Sequence, residues 1–295
     1  MVSNGVVFVI LLTFVILLAR SVEREVKRKE DLQLLSDRLA VTNDRLRELD
    51  QARAEFMSMA SHQLQTPLTA IRGFASLLLE KSGGDLTPNQ EDMIQKISVS
   101  SERMVQLVEE YLNLSRIESG KMEYKLEKWQ TEDICQEVVD ALALKAKKKN
   151  LSLTFHRPSE PLPEAMIDGP KVREVISNLV DNAIKYTPEG DVTLDILRRR
   201  REASETSDWI RVIVSDTGLG ISETELPHLF AKFGRGTNKE RLKIKGTGLG
   251  LYIGKVMIEN NGGKIWAESD GEDKGARFII EIPSGQRNPS PQKRQ

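Results

Sequence analysis

One cysteine, Cys135, stands in 295 residues, so no intrachain disulfide can form. The three histidines lie far apart, and with that lone thiol they do not make a Cys/His zinc site. An excess of one charge is also missing. The 43 Lys+Arg against 44 Asp+Glu leave a net charge of −1, which removes the basic field that draws a protein to nucleic acid or acidic polymers. At 39% hydrophobic and 29% charged residues the chain is neither a multi-span membrane protein, a collagen nor a disordered polymer. Its length allows about two domains, each with a core of its own.

A single long apolar run is present. Val6 to Ala19 is apolar except for Thr13, and 19 residues precede Arg20, enough to cross a bilayer of about 30 Å. A cleaved signal would carry basic residues before the run and small residues at a cleavage site, and neither is there. Residues 1–20 are therefore expected to be a single-pass transmembrane anchor. Arg20, Arg24, Lys27, Arg28 and Lys29 follow it and orient the rest toward the cytoplasm, at an inner or cytoplasmic membrane. With at most four residues ahead of the membrane, no external sensor domain is expected.

Over residues 21–55 and into Phe56 a heptad seam is expected: Leu32, Leu35, Leu39, Leu46, Leu49 and Phe56 recur at steps of three and four, with Thr42 and Arg53 at the other two seam positions. Flanking charges such as Arg38, Asp44, Arg45 and Glu48 suit a parallel helical dimer. The alternative is an amphipathic helix packed on its own domain.

A helix then runs through Phe56 to about Lys81, breaks at Ser82-Gly83-Gly84-Asp85, and restarts at Thr87-Pro88-Asn89-Gln90, where Thr87 caps, Pro88 takes the first helical position and Gln90 completes a capping box. In the second helix Ile94, Ile97, Met104, Val108 and Tyr111 keep the helical spacing to about Ser115. Two such hairpins, over residues 56–118, make a dimeric four-helix bundle. If the seam register continues, His62 falls on the outer flank, Thr66 sits one turn later on the same face, and Pro67 kinks the helix.

Beyond the linker Arg116 to Lys121, residues 122–284 read as an α+β sandwich, a mixed sheet under one layer of helices, with a strand at Met122 to Leu126, a helix at Thr131 to Lys149 and further strands at residues 151–155, 192–196, 210–214, 264–267 and 277–282. Arg198 to Arg201 reads as the solvated end of a hairpin, whose tip is Glu202 to Asp208. Residues 285–295 read as a disordered tail.

Four clusters in this half carry chemistry. Asn178 and Asn182 lie four apart on one helix with Lys185 and Tyr186 a turn further, a face of carboxamide oxygens and an ammonium suited to Mg²⁺ with phosphates. Asp216-Thr-Gly218-Leu-Gly220 follows a strand, setting a carboxylate that accepts from an exocyclic amino group beside glycines that admit a flat ring. Gly246-Thr247-Gly248-Leu249-Gly250 opens a helix with free amide groups toward an anion. Between them, Phe230-Ala-Lys-Phe233-Gly-Arg235 and Thr237 to Lys245 read as a mobile lid. No Walker loop is present, and Gly246-Thr-Gly248 lacks the preceding strand and third glycine of a Rossmann site.

In this order the clusters resemble the catalytic core of bacterial two-component sensor histidine kinases. Ser61-His62-Gln63-Leu64-Gln65-Thr66-Pro67-Leu68 is similar to that family's H box, Asn178 to Tyr186 to its N box, Asp216 to Gly220 to G1, Phe230 to Phe233 to the F box and Gly246 to Gly250 to G2. The resemblance implies a phosphotransfer hairpin followed by an ATPase domain of the Bergerat (GHKL) type. It implies that His62 accepts the γ-phosphoryl group of ATP, Asn182 ligates Mg²⁺ with Asn178 beside it, Asp216 reads the adenine amino group, and Lys185 and Arg235 meet the phosphates. It also implies a homodimer and a response regulator whose receiver aspartate takes the phosphoryl group. Two residues depart from the family pattern. Gln63 stands where a carboxylate usually follows the histidine, and a carboxamide cannot accept the imidazole proton. Gln65 replaces the usual Arg, while Thr66 keeps the position that helps water attack a regulator's phosphoryl group. A weak kinase acting mainly as a regulator phosphatase, or a non-catalytic ATP-binding scaffold, are the alternatives.

Overall fold

Few helix breakers stand before residue 80, and the backbone is helical from Val2 to Leu79, as α1. The computed structural model describes residues 2–80, 84–200, 208–234 and 247–285, in two compact units, Met1–Ala60 and Ser61–Gln295.

In the first unit the Thr42 hydroxyl donates to the Arg38 carbonyl at 2.8 Å, and Arg45 pairs with Glu48 at 2.9 Å. The six apolar seam residues are 55% to 68% exposed, an unpartnered stripe of the kind a second helix covers. The backbone of residues 2–20 is helical, and apart from Phe14, Leu17, Leu18 and Arg20 the side chains of residues 1–20 lie outside the described residues. Among the described residues no helix is long and apolar enough to cross a membrane.

The second unit begins with the hairpin. Thr87 caps α2 (Pro88–Glu118) as expected: its side chain accepts from the Gln90 amide, the Gln90 side chain accepts from the Thr87 amide, and Pro88 stands in the first turn. The helix runs beyond Ser115 because Ser119 donates its amide back to the Ser115 carbonyl. Pro67 sits inside α1 without ending it. Ser61, Leu68 and Ala75, at seven-residue steps, are the buried stripe of α1, and Ser101, Leu112 and Leu114 are buried on α2. A second set of seven-residue steps stays exposed: Leu64, Ile71 and Leu78 on α1, Ile97, Met104 and Tyr111 on α2.

After the hairpin, Met122 to Leu126 is not a strand. Alternation there arises because Met122 packs on the core, while the Lys125 amide donates to the Asp168 carboxylate at 3.0 Å instead of to a ladder. The strand β1 is Glu127–Trp129, paired antiparallel with the short β3, Ala165–Ile167, which sequence reasoning missed. The main sheet has the order β2-β4-β5-β7-β6, with β2 (Ser152–His156) parallel to β4 (Asp191–Arg199) and the pairs among β4, β5 (Trp209–Asp216), β7 (Ala276–Pro283) and β6 (Lys264–Glu268) antiparallel. Alternate residues Val192, Leu194 and Ile196, Ile210, Val212 and Val214, and Phe278, Ile280 and Ile282 line one buried face. Helices α3 (Thr131–Lys148), α4 (Gly169–Tyr186) and α5 (Gly250–Asn260) cover it, burying Ile134 and Val138, Val172, Ile176 and Leu179, and Ile253 and Met257. The mixed sheet under one helical layer agrees with the sequence reading. The opposite face carries Glu281, only 3% exposed, between Arg199 and Arg211, each at 2.6 Å, with the two guanidiniums over Trp209 and Trp266.

One residue of the expected tail, Gly285, is ordered, contrary to expectation. Ser284 donates its amide to Asp208, and Gly285 donates to Glu164 and bridges to Ala165, so the end of β7 is tied across the small sheet. Residues 286–295, the hairpin tip at 201–207 and the expected lid lie outside the described residues, except the lid's first part up to Gly234.

Candidate functional site

The spacing of α4 decides the site. Its apolar positions Val172, Val175, Ile176, Leu179 and Val180 are buried in the core, which turns Asn178, Asn182, Lys185 and Tyr186 together toward a cavity of about 480 Å³. Asp168 starts the helix by accepting from the Lys171 amide at 3.2 Å. At the other end the Lys149 ammonium satisfies the carbonyls of Ile184 and Lys185 at 2.7 and 2.9 Å. The Asn182 carboxamide donates to Asn178 Oδ1 at 3.4 Å. Lys185 is held by Asp181 at 2.6 Å, and Lys145 meets the other oxygen of the same carboxylate. Burial pushes the Asp181 carboxyl up, but Lys185 and Lys145 outweigh it and hold the group below the usual carboxylate range.

Strand β5 delivers Asp216 to the cavity floor, in register between Val192 and Ala276. Burial pushes its carboxyl up to about 6, against the Gly218 and Ala276 amides that stabilise its charge. Gly218 donates to Asp216 Oδ1 at 2.9 Å, and a Cβ on it would stand 2.4 Å from the Tyr186 carbonyl oxygen, so only glycine fits. Gly248 has φ 76° with the backbone of Phe233 and Gly234 pressed against it. Gly250 opens α5 with its Cα against the Asn178 side chain. A flat base over the glycines beside Asp216, with phosphates between the asparagines and the α5 amino end, fits this cradle.

Of the expected site residues, Asn178, Asn182, Lys185, Tyr186, Asp216, Gly220, Phe233, Thr247, Gly248 and Gly250 all line the cavity. Phe230 packs on the core instead, and Leu249 is fully buried there, so these two support the walls from behind. Arg235, Gly246 and the His62 side chain lie outside the described residues. Gln63 and Thr66 are exposed on α1, and neither lines the cavity. Sequence reasoning missed one whole wall. Arg103, Gln106, Leu107, Glu110 and Tyr111 of α2 face the asparagines across the cavity. Their spacing marks one helix face, but nothing in it says what that face meets. The wall is tied in place: the Thr247 hydroxyl donates to Glu110, Asn113 donates to Glu174 at 3.2 Å, and Lys232 pairs with Glu118 at 2.8 Å. Glu118 raises the Lys232 ammonium above its ordinary value.

Comparison with known proteins agrees with this geometry. Residues 52–120 match the His Kinase A (phospho-acceptor) domain, and residues 167–286 the histidine kinase-, DNA gyrase B-, and HSP90-like ATPase. The chain is 32% identical over 254 residues to the signal transduction histidine-protein kinase BarA of Escherichia coli strain K12, covering 86% of this chain and 27% of BarA. It is 34% identical over 256 residues to the circadian input-output histidine kinase CikA of Synechococcus elongatus, covering 86% of this chain and 32% of CikA. The chain thus spans about a third or less of the curated relatives it matches. Among solved structures, full-length ShkA in complex with AMPPNP superimposes with a TM-score of 0.62 at 26% identity, over 79% of this chain and 46% of ShkA. Phospho-acceptor hairpin and ATPase sheet follow one another in the order the motifs require, and the protein belongs to the sensor histidine kinases.

Proposed function

We propose that the chain transfers the γ-phosphoryl group of ATP to His62 and from there to an aspartate of a response regulator's receiver domain. The observation that carries this reading is one cavity that gathers Asn178, Asn182 and Asp216 with Gly220, Gly248 and Gly250. The Asp216 carboxylate accepts from the adenine amino group, and the α5 amino end and Lys185 receive the phosphates. Asn182, with Asn178 beside it, would hold Mg²⁺ through a carboxamide oxygen, and the ion would supply charge neutralisation on the phosphates. A neutral imidazole nitrogen of His62 attacks the γ-phosphorus, the bond to the ADP oxygen breaks, and the imidazole proton leaves to solvent because the neighbouring Gln63 cannot accept it. Gln63 and Thr66 stand outside the cavity, so acceptor and nucleotide must approach one another for the step.

The exposed stripes on both hairpin helices and the seam of residues 21–55 support a homodimer. The run Val6 to Ala19 supports a membrane anchor at residues 1–20, with the acceptor hairpin at 56–118 and the ATPase domain at 122–284 on the cytoplasmic side. A second reading, regulator phosphatase, draws on Thr66, exposed one turn beyond His62, and on the missing carboxylate at position 63.

The test is incorporation of label from γ-labelled ATP with Mg²⁺ into the chain and its variants His62→Ala, Asn182→Ala and Gln63→Glu. Acid-labile, alkali-stable label that both alanine variants lose establishes the kinase, and a gain with Gln63→Glu shows that the missing base limits the rate. A parent that binds ATP but takes no label overturns the kinase reading. Release of phosphate from a phosphorylated receiver domain, lost in Thr66→Ala, would then favour the phosphatase.

A further inference from the structure

Among the described residues the cavity lining is short of cations. It holds Glu110, Asp216 and Glu225 on the acidic side and only Arg103 and Lys185 on the basic side. Lys185 is already engaged by Asp181, 2.6 Å away. Arg103, on the hairpin helix α2, makes no hydrogen bond or ion pair among the described residues. Arg103 lines the cavity to which the proposed function assigns a polyanion, and a guanidinium has a planar fork of donors that matches phosphate oxygens.

The helix that carries it is held in place at three points on three segments of the ATPase region. Glu110 accepts from Thr247 beside the α5 amino end, Asn113 donates to Glu174 on α4 at 3.2 Å, and Glu118 meets Lys232 at 2.8 Å. From Glu110 to Arg103 is two turns, about 10 Å along α2. Arg103 lines the same cavity as Asn182 and Lys185.

We propose that Arg103 of the hairpin contacts the phosphate chain of the bound nucleotide, so that the nucleotide site is completed by a residue from outside the ATPase domain. The proposal rests on the ATP reading of the cavity. It makes α2 a sensor of the phosphates: ATP and ADP bind more tightly when the hairpin wall is in place, and adenosine does not.

The test is equilibrium titration of the full chain, with Mg²⁺, by ATP and separately by adenosine, for the parent, Arg103→Ala, Arg103→Lys and Asn182→Ala. Arg103→Ala is expected to weaken ATP about tenfold and leave adenosine unchanged, Arg103→Lys to restore part of the loss, and the salt dependence of ATP binding to fall with the lost charge. A disturbance of packing alone would move both ligands together. A parent that binds ATP while Arg103→Ala binds it equally well, or loses ATP and adenosine in the same proportion, overturns the Arg103 contact and leaves the cavity's assignment standing. A parent that binds neither ligand overturns the nucleotide reading and the contact with it.

Discussion

Asp216 sits where function and stability oppose one another. Burial pushes its carboxyl up from 3.8 to about 6, so in the empty site the ionised form costs folding free energy. The sign follows from linkage: a carboxyl whose folded value is raised destabilises the fold once pH exceeds the unfolded value, and the penalty is complete above the folded value. Two pKa units convert to about 3 kcal/mol at pH 7.5, about 1.5 at pH 5 and about 0.5 at pH 4. Asp216→Asn keeps the shape and the oxygen that accepts from Gly218, and removes the charge. The nucleotide-free variant is therefore expected to be more stable than the parent by up to about 3 kcal/mol at pH 7.5, a rise in Tm of roughly 4–10 °C. The gain shrinks by half at pH 5 and nearly vanishes at pH 4. Thermal unfolding followed by circular dichroism at the three pH values measures it, and nucleotide titration of the same samples should show the variant binding ATP more weakly. An Asp216→Asn chain no more stable than the parent at pH 7.5, or a gain independent of pH, would refute the buried-carboxylate argument.

With the proposed adenine contact, in which protonation of Asp216 competes with the amino donor, nucleotide affinity of the parent should also fall with acid: about twofold at pH 6 and about tenfold at pH 5, relative to pH 8, by calorimetry at constant ionic strength. Gly218→Ala drives a Cβ to 2.4 Å from the Tyr186 carbonyl oxygen, and a loss of about 1–3 kcal/mol in denaturant unfolding with loss of ATP binding is the expected result. Glu281→Ala leaves Arg199 and Arg211 without their shared, nearly buried carboxylate, a change that should cost about 3–5 kcal/mol in the same assay while the cavity, on the sheet's other face, keeps its ligand preference.

Local rules were readable before any coordinates. Thr87, Pro88 and Gln90 announce a helix start because the groups that satisfy the orphan amides lie within three residues of one another. The four-residue step from Asn178 to Asn182 places both carboxamides on one face of any helix. Alternation in β4, β5 and β7 gave the sheet's buried side, since a strand's pleat is a property of consecutive residues. The same rule misled at Met122 to Leu126, where Asp168, 43 residues from Lys125, takes the amide that a ladder would have used. Phe230 and Leu249 lie within motif segments, yet packing against the core removes both from the cavity.

What residues near one another in the chain can do, the sequence determined: helix starts, the polar face of α4, the placing of the glycine-rich loops, and the apolar seam of α1. What depends on residues far apart only the tertiary structure decided. Glu110 meets Thr247 across 137 positions, and that contact makes a face of the hairpin a wall of the cavity. The burial that moves Asp216 likewise comes from strands and loops assembled around it. A periodicity names which side of a helix is apolar or charged, but the electrostatic surroundings of a group are set by whatever the fold brings within a few ångströms of it.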